Sequence, residues 1–313
     1  MIAERIEWQR DAALGFATQR VAYRGREQFW QPVPERTQEF SCSYLDGGCA
    51  APHVHEEWQF AVAAEPSTIT LGAFRRYRAL ADDVTVVSPY DVHTERGWFG
   101  APRGWLVLHV AKSVVEQACG DEAGRVPRFD GPVIRDGKSA RSLAPLLQSS
   151  LEGSIGSCDF TTRVLEWLHD LLGRYARGTA VPAIHRAPIE RARAYLQSHA
   201  TEPLSLSELA GVAGVTTSHL VRSFSRSVGL PPKSYHAQLR LARARRLLAE
   251  GRPATWVAYE CGFADQSHLN RRFKEFYGLT PGAFQAHYHG RQPSTAVLQS
   301  TGSIAERISF NAA

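Results

Sequence analysis

One short unit occurs twice in the last third of the chain, with an offset of 49 residues. The first copy, at 208–235, reads ELAGVAGVTTSHLVRSFSRSVGLPPKSY, and the second, at 257–284, reads VAYECGFADQSHLNRRFKEFYGLTPGAF. Each copy contains Ser-His-Leu, then a phenylalanine four residues after the leucine, then Gly-Leu-x-Pro and an aromatic residue. Because apolar spacing and turn residues determine local structure, the two copies should fold alike.

The first copy predicts a helix, a tight turn and a second helix. A short apolar helix over 204–211 precedes Gly214, and glycine tolerates the positive φ that a tight turn needs. The second helix, with Thr216 or Thr217 as its N-cap, ends at Val228, before a glycine and two prolines. Its leucine, phenylalanine and valine recur every four residues and form one apolar stripe, as in a helix–turn–helix.

The second copy repeats this layout and is joined to the first by a long helix. Cys-Gly-Phe at 261–263 forms the turn, Asp265 is the predicted N-cap, and Gly278 ends the helix. Between the copies, YHAQLRLARARRLLAEG predicts a single helix of about seventeen residues, which spans roughly 25 Å. Helices that enter successive major grooves of B-DNA lie ~34 Å apart. A connecting helix of roughly 25 Å, together with the residues on either side of it, can separate the two second helices by that distance.

The positive charge of the chain is concentrated in the same segment. Residues 185–291 hold fifteen Lys and Arg against seven Asp and Glu, a net charge of +8, whereas residues 1–184 have a net charge of −3. The outer faces of the two second helices carry Arg, Asn, Gln and Ser, which are side chains that read base edges in the major groove. The sequence therefore favours double-stranded DNA as a partner, and a helical bundle that binds protein is the alternative.

The first half of the chain predicts β-structure followed by helices. Five short runs rich in β-branched and aromatic residues are separated by Gly, Pro and Asp, as in a small sandwich or barrel. The runs are FSCSYLDGG, WQFAVAA, STITLGAF, DVTVVSP and GWLVLHV. From 139 to 177 the apolar spacing becomes helical, with Leu165, Leu168, Leu172 and Tyr175 on one stripe.

The repeated unit resembles the DNA-binding domain of the AraC/XylS family of transcription regulators, and GFADQSHLNRRFKEFYGLTPGAF is similar to the signature stretch of that family. The resemblance implies an α+β multidomain fold. An N-terminal cupin-like β-barrel with following dimerisation helices precedes a C-terminal all-α domain, in which a linker helix joins two helix–turn–helix units. The expected segments are an effector-binding domain at 1–138, a helical dimerisation segment at 139–178, a linker at 179–188, a DNA-binding domain of seven helices at 189–290 and a flexible tail at 291–313.

The resemblance also implies what the chain does. Regulators of this family bind promoter half-sites in double-stranded DNA as homodimers, and most of them activate transcription by recruiting RNA polymerase. In this chain the barrel is expected to bind a small-molecule effector that controls DNA binding. No metal and no organic cofactor are expected.

Base-contacting positions of the family map onto the second helix of each unit. They correspond to Ser218, Val221, Arg222, Gln266, Ser267, His268, Asn270 and Arg271. Val221 departs from the polar residue that is commoner at its position, so either it touches a thymine methyl group or the first unit contributes mostly to positioning. Phosphate contacts, which position a protein on DNA without reading the sequence, are expected from Arg226, Lys233, Arg240 and Arg272.

Histidines in the first half raise the question of a metal site. HVHEEWQFAV and the later ADDVTVVSPYDVH resemble the His-x-His strand and the Pro-x-x-x-His turn of cupin barrels. His53 and His55 share one face of a strand, and His93 joins them from a neighbouring strand, so these three form the alternative metal set, with Glu57 as a fourth ligand. The pattern is incomplete, because Gln59 and a phenylalanine occupy the positions where a Glu ligand is expected.

The favoured interpretation is a pocket for an organic effector, because such pockets are mostly apolar and contain a few polar groups. The residues predicted to line it are His53, His55, Trp58, Phe60, Tyr77, His93 and Trp98, with Tyr44, Trp105 and His109 as further candidates.

Other classes of function have less support in the sequence. The chain has no GxSxG elbow, no P-loop and no GxGxxG, so we expect no enzyme. Its five cysteines form no CxxC pair, no apolar run approaches ~18 residues and the first twenty residues are charged, so we expect a cytoplasmic protein. Two alternatives stay open: a metal-dependent cupin enzyme with an appended helical domain, and a constitutive DNA-binding protein whose barrel is only a dimerisation scaffold.

Overall fold

A computed structural model describes most of the chain between residues 9 and 289. The described ranges are 9–10, 17–18, 26–33, 39–46, 52–63, 65–97, 104–119, 126–177, 179–180 and 187–289. None of the helices in these ranges is long and apolar enough to cross a membrane.

Strands and three helices make up the first part of the chain, which we call the sheet domain. The strands are β1 Gln9–Arg10, β2 Ala17–Thr18, β3 Arg26–Trp30, β4 Phe40–Asp46, β5 Trp58–Ala63, β6 Ser67–Leu71, β7 Arg75–Ala79, β8 Val84–Val87, β9 His93–Gly97, β10 Gly104–Val110, β11 Val126–Pro127, β12 Val133–Ile134 and β13 Thr179–Ala180. The helices are α1 Lys112–Ala118, α2 Gly137–Glu152 and α3 Ser157–Tyr175.

Six strands form an antiparallel sheet in the order β12-β8-β5-β10-β4-β3. Alternate side chains of a strand point to opposite faces, so the register assigns each residue to a face. Phe60 of β5 lies opposite Leu108 of β10 and Val86 of β8, and these side chains face α2 and α3. This face and the three helices bury one large apolar core, which fixes the sheet.

A smaller sheet of three strands, in the order β7-β6-β9, lies against the other face. Gln59 of β5 donates to Glu95 of β9 at 2.9 Å, which ties the two inner faces together. An isolated bridge between His53 and His93 connects the segment before β5 to the edge of the smaller sheet. Among the described strands these ladders do not join into a closed barrel, so the predicted barrel is observed only as two facing sheets.

Seven helices form the second part of the chain, residues 187–289, which we call the helical domain. They are α4 Pro188–Ser198, α5 Leu206–Ala213, α6 Thr217–Val228, α7 Pro232–Ala249, α8 Ala254–Glu260, α9 Gln266–Tyr277 and α10 Pro281–His289. They bury two separate apolar cores, one for each copy of the repeat, and α7 contributes to both. The last aromatic residues of the two copies, Tyr235 and Phe284, are buried in equivalent places.

Candidate DNA-binding surface and histidine cluster

The second helix of each unit begins at a side-chain cap. Thr216 accepts a hydrogen bond from the backbone of His219 at 3.3 Å, and Asp265 accepts one from the backbone of His268 at 2.7 Å. Each cap satisfies an N–H group that would otherwise have no partner at the helix start. Both helices end at a glycine in the left-handed region, so α6 and α9 have the same length of twelve residues.

An apolar stripe holds each of these helices in place. Leu220 and Phe224 of α6 are fully buried, and so are Leu269 and Phe273 of α9. The opposite faces are polar and lie at the surface. Among the predicted base-contacting residues, Ser218, Arg222, Gln266, Ser267 and Arg271 are exposed, whereas Val221, His268 and Asn270 are half-buried.

Two residues of α9 make contacts within the second unit. The Gln266 side chain accepts a hydrogen bond from the Thr255 hydroxyl at 2.9 Å, which ties α9 to α8. The His268 ring lies 5.4 Å from the Phe263 ring in an edge contact and is half-buried against the turn. These contacts hold the first turn of α9 against α8 and the turn before it, and so they set the position of its outward side chains.

A basic cleft of about 480 Å³ lies between α7 and α9. It brings together Lys233 from α7 with Arg271 and Arg272 from α9. Arg272 also pairs with Glu275 at 3.0 Å on the exposed helix surface, where such pairs contribute little. The arrangement can hold a phosphate group between the two helices, because Lys and Arg bind phosphate oxygens.

Arg240 differs from the expectation that it binds DNA phosphate. Its guanidinium donates to the carbonyl oxygens of Ala200, Thr201, Glu202 and Gly262 at 2.5–3.3 Å. These bonds tie the end of α4 and the turn of the second unit to α7, and they occupy most of its N–H groups. Arg240 is therefore a structural residue, and the phosphate prediction is corrected for it.

Four histidines of the sheet domain form one cluster. The ring of His93 lies 4.1 Å from that of His53 and 4.9 Å from that of His55, and His55 lies 5.2 Å from His109. His55, His93 and His109 are buried, and burial lowers the pKa of each, so their imidazoles are neutral. His109 comes from β10. The sequence analysis named it only as a candidate pocket residue and did not predict its contact with the other histidines.

Glu57 joins this cluster to the helical domain. Its Oε1 accepts from Arg245 of α7 at 2.9 Å, and its Oε2 lies 3.9 Å from His55 Nδ1. Burial opposes ionisation of Glu57, but the charge of Arg245, helped by a backbone hydrogen bond, outweighs this effect and holds the carboxyl pKa below its usual value. The side chains of Glu57 and Arg245 are only 17% and 7% exposed, so this is a buried ion pair between the two domains.

Further contacts hold the domains together around this pair. They are Arg246 to Glu56 at 3.1 Å, Arg193 to Asp91 at 2.7 Å, Gln238 to the carbonyl of Pro52 at 3.0 Å and Tyr235 to the carbonyl of Tyr90 at 3.1 Å. The C-terminus of α6 also touches the sheet domain, because a Cβ added to Gly229 would lie 2.7 Å from the backbone of Gly72. A change in the sheet domain can therefore reach both α6 and α7 directly.

The predicted effector residues do not gather in one pocket. Trp58 and Phe60 are fully buried in the core beneath α2 and α3, where the Phe60 ring lies 5.4 Å from that of Trp167, so the prediction is wrong for these two. Every residue of β5 is buried, so the strand lacks the apolar–polar alternation that would show which side chains face the helices and which face the smaller sheet. Trp98 and the Tyr44 side chain lie outside the described residues.

A cavity of about 410 Å³ lies between the sheet domain and the helical domain. Arg75 and Tyr77 of β7 line it on one side, and Glu190 and Arg193 of α4 and Val228 of α6 line it on the other. Of the predicted effector residues, Tyr77 is the one that faces this space. The lining residues from α4 were missed, because the sequence carries no signal for a contact between such distant segments.

The fold and these surfaces define a tandem helix–turn–helix protein with a sheet domain attached. A helix-turn-helix domain family matches residues 209–287. The chain is 27% identical over 193 residues to the HTH-type transcriptional regulator YbfI of Bacillus subtilis, covering 60% of this chain and 69% of that one. It is 34% identical over 89 residues to the HTH-type transcriptional activator RhaS of Escherichia fergusonii, covering 28% of this chain and 32% of RhaS. These similarities support a DNA-binding transcription regulator of the AraC/XylS kind, which the sequence resemblance predicted.

A structural likeness extends across both domains. The structure of ToxT from Vibrio cholerae, solved with an unsaturated fatty acid bound, aligns with 82% of this chain and 98% of ToxT. The TM-score is 0.50 and the identity is 12%, so the likeness shows a shared fold.

Proposed function

We propose that this regulator reads DNA with α6 and α9 and that a small molecule bound by the sheet domain controls it. The observation that supports this most strongly is the matched build of the two helices. Each is capped, is anchored by a buried stripe and carries polar or basic side chains outward, within a segment of net charge +8. A helix of this kind fits the major groove, and two of them contact two grooves.

The residue roles follow from exposure. Arg222, Gln266, Ser267 and Arg271 are exposed on the outward faces and would contact base edges, together with Ser218 and the half-buried Val221, His268 and Asn270. Lys233 and Arg272 share the cleft with Arg271 and would hold a phosphate group, and Arg226 would do so on α6. Arg240 is left out of this set because its donors are used within the protein.

Arg271→Ala should weaken binding to the specific DNA site by about 1–3 kcal/mol and relax specificity at one base pair. The reason is that Arg can donate two hydrogen bonds to guanine, which alanine cannot replace. Binding would be measured on the selected site and on all its single-base variants at one salt concentration. Arg177→Ala is the control, because it removes an exposed positive charge, 73% exposed, from the sheet domain. An equal loss on every DNA sequence would identify Arg271 as a phosphate contact.

The effector site that we propose is the cavity between the domains. Its volume of about 410 Å³ is in the range of small-molecule pockets, and its lining carries Arg75, Arg128 and Arg193 beside Asp91, Asp130 and Glu190. Arg193 pairs with Asp91, and Asp130 pairs with Arg177, so Arg75 and Arg128 offer the positive charge that an acidic organic molecule would bind. The fold shared with ToxT, which was solved with a fatty acid, supports a ligand of this class. A ligand here would touch both domains and so change their contact.

A panel of small organic acids tests this assignment on the full chain. Ligand at 100 times its Kd should stabilise the protein by about 2.7 kcal/mol, which raises the melting temperature. Tyr77→Ala should remove the rise, because it deletes one wall of the cavity. If no acid shifts the melting temperature, or if Tyr77→Ala leaves the shift intact, the effector does not bind there.

Dimerisation through 139–178 stays a prediction. The apolar stripe of α3 is buried against the six-stranded sheet of its own chain, so a dimer contact would use the outer faces of α2 and α3.

We further propose activation through RNA polymerase and a cytoplasmic location, as in the sequence-based expectation, together with a cupin-like closure of the two sheets.

A further inference from the structure

Three side chains beside the domain interface each bring a metal-binding atom to one point. One ligand atom each of His55, Glu57 and His109 lies within 4.8 Å of the other two. A second group, His53, His55 and His93, meets the same limit and shares His55. The first group is set apart by where it lies, because Glu57 and His109 also line a small cavity with Arg245 of α7.

Each of the three side chains in the first group has at least one polar atom without a hydrogen-bond partner. His55 Nδ1 lies 2.8 Å from the carbonyl oxygen of Glu57, so it carries the proton and leaves the lone pair on Nε2. His55 Nε2, both ring nitrogens of His109 and Glu57 Oε2 are buried and have no hydrogen-bond partner among the described residues. A buried polar group without a partner costs about 1–3 kcal/mol. Because the three side chains that carry these atoms also meet within 4.8 Å, they indicate a missing ligand.

The chemistry of these atoms selects the ligand. Two neutral imidazole nitrogens and one carboxylate oxygen are donors that bind first-row divalent metals, and Zn²⁺ takes this set with tetrahedral geometry. The carbonyl contact at His55 Nδ1 is the outer hydrogen bond that orients a histidine ligand. The adjoining cavity of about 20 Å³ has room for one water molecule, which would serve as a fourth ligand.

We propose that His55, Glu57 and His109 bind one divalent transition-metal ion of the Zn²⁺ class at the junction of the sheet domain and α7. The ion would share Glu57 with Arg245, since the guanidinium occupies Oε1 and leaves Oε2 for the metal. Occupancy would thus alter the charge beside the main ion pair between the domains. The site does not depend on the proposed DNA contacts or on the organic effector.

The test uses the full chain without a histidine tag, stripped with a chelator and dialysed. Co²⁺ is titrated in and followed by visible absorption, and Zn²⁺ is then added as a competitor. We expect one Co²⁺ per chain with a band typical of tetrahedral coordination, and displacement by one Zn²⁺. Absence of binding to the folded wild-type protein would overturn the proposal.

Variants locate the ion. Loss of an outer-shell partner lowers metal affinity 10–100-fold, so His109→Gln, which removes a ligand, should lower it by about 100-fold or more. Glu57→Gln combined with Arg245→Met, which leaves no buried charge unpaired, should also weaken binding and gives a second readout if His109→Gln does not fold. His93→Gln and the exposed control His169→Gln should bind Co²⁺ as the wild type does. Loss in His93→Gln with retention in His109→Gln would place the ion in the other group and refute this assignment.

Discussion

Arg245→Met should destabilise the protein by about 3–5 kcal/mol, because it leaves Glu57 buried without its positive partner. Methionine keeps much of the volume of the arginine stem, so the loss reports charge rather than a cavity. Urea unfolding at neutral pH, with chelator present to keep metal out, measures the change. Adding Glu57→Gln to Arg245→Met should restore much of the stability, since no unpaired charge then stays buried.

Arg246→Met is the matched control for this prediction. Arg246 lies one residue along α7 and pairs with Glu56 and Glu250, but its side chain is 35% exposed. Glu56 and Glu250 are 22% and 10% exposed, but solvent reaches the Arg246 end of both pairs and screens them, so this variant should lose less. A similar small loss in both variants would mean that the Glu57–Arg245 pair is not the main electrostatic contact between the domains.

The helix–turn–helix units were predictable from the sequence because their signals are local. Caps, stripes and end glycines lie within one turn of the residues that they control. The helix Thr217–Val228 ends at the predicted residue, and its cap is Thr216, one of the two predicted candidates. The preceding helix was predicted at 204–211 but spans Leu206–Ala213, because Ser205 is its cap and Gly214 its end. A serine cap and a glycine end fixed by backbone geometry outweigh the apolar pattern at the boundary.

The sheet domain was predicted less completely because its signals depend on distant partners. All five predicted runs contain strands, but β7, Arg75–Ala79, was missed, and β9, His93–Gly97, was anticipated only through His93. Both are rich in charged or polar residues and lack the apolar alternation that marks a strand. Their pairing to β6 supplies the structure that their own sequence does not indicate.

Site residues show the same limit. The partners of Arg240 lie 22 to 40 positions away, so nothing near it in sequence distinguishes a structural arginine from one that binds phosphate. His109 reaches the histidine cluster through the register of β10 with β5, in which it lies opposite Gln59. Glu57 was proposed as a ligand from its position after His55, but its link to Arg245 spans 188 residues. The sequence shows which side chains are capable of binding, but long-range packing determines which partner each of them contacts.

Gly262→Ala should damage the second helix–turn–helix unit and cost about 3 kcal/mol or more in stability. Gly262 lies in the turn between α8 and α9 with φ +73°, where a residue with a Cβ costs roughly 1–2 kcal/mol. In addition, a Cβ would lie 2.1 Å from the carbonyl oxygen of Thr201 and 3.2 Å from the guanidinium carbon of Arg240. The backbone of the turn or the end of α4 must therefore move, and α9 moves with the turn.

Gly278→Ala separates the two causes of this loss. Gly278 ends α9 with φ +79°, and a Cβ there would meet no atom of the described residues within 4 Å. It should therefore show only the backbone cost of roughly 1–2 kcal/mol. Urea unfolding measures both variants, and DNA binding measured under folded conditions reports the position of α9. Equal losses in the two variants would show that the Thr201 contact relaxes without cost. A larger loss in Gly262→Ala, with weaker DNA binding, would show that the contact between α4, α7 and this turn holds the second recognition helix in place.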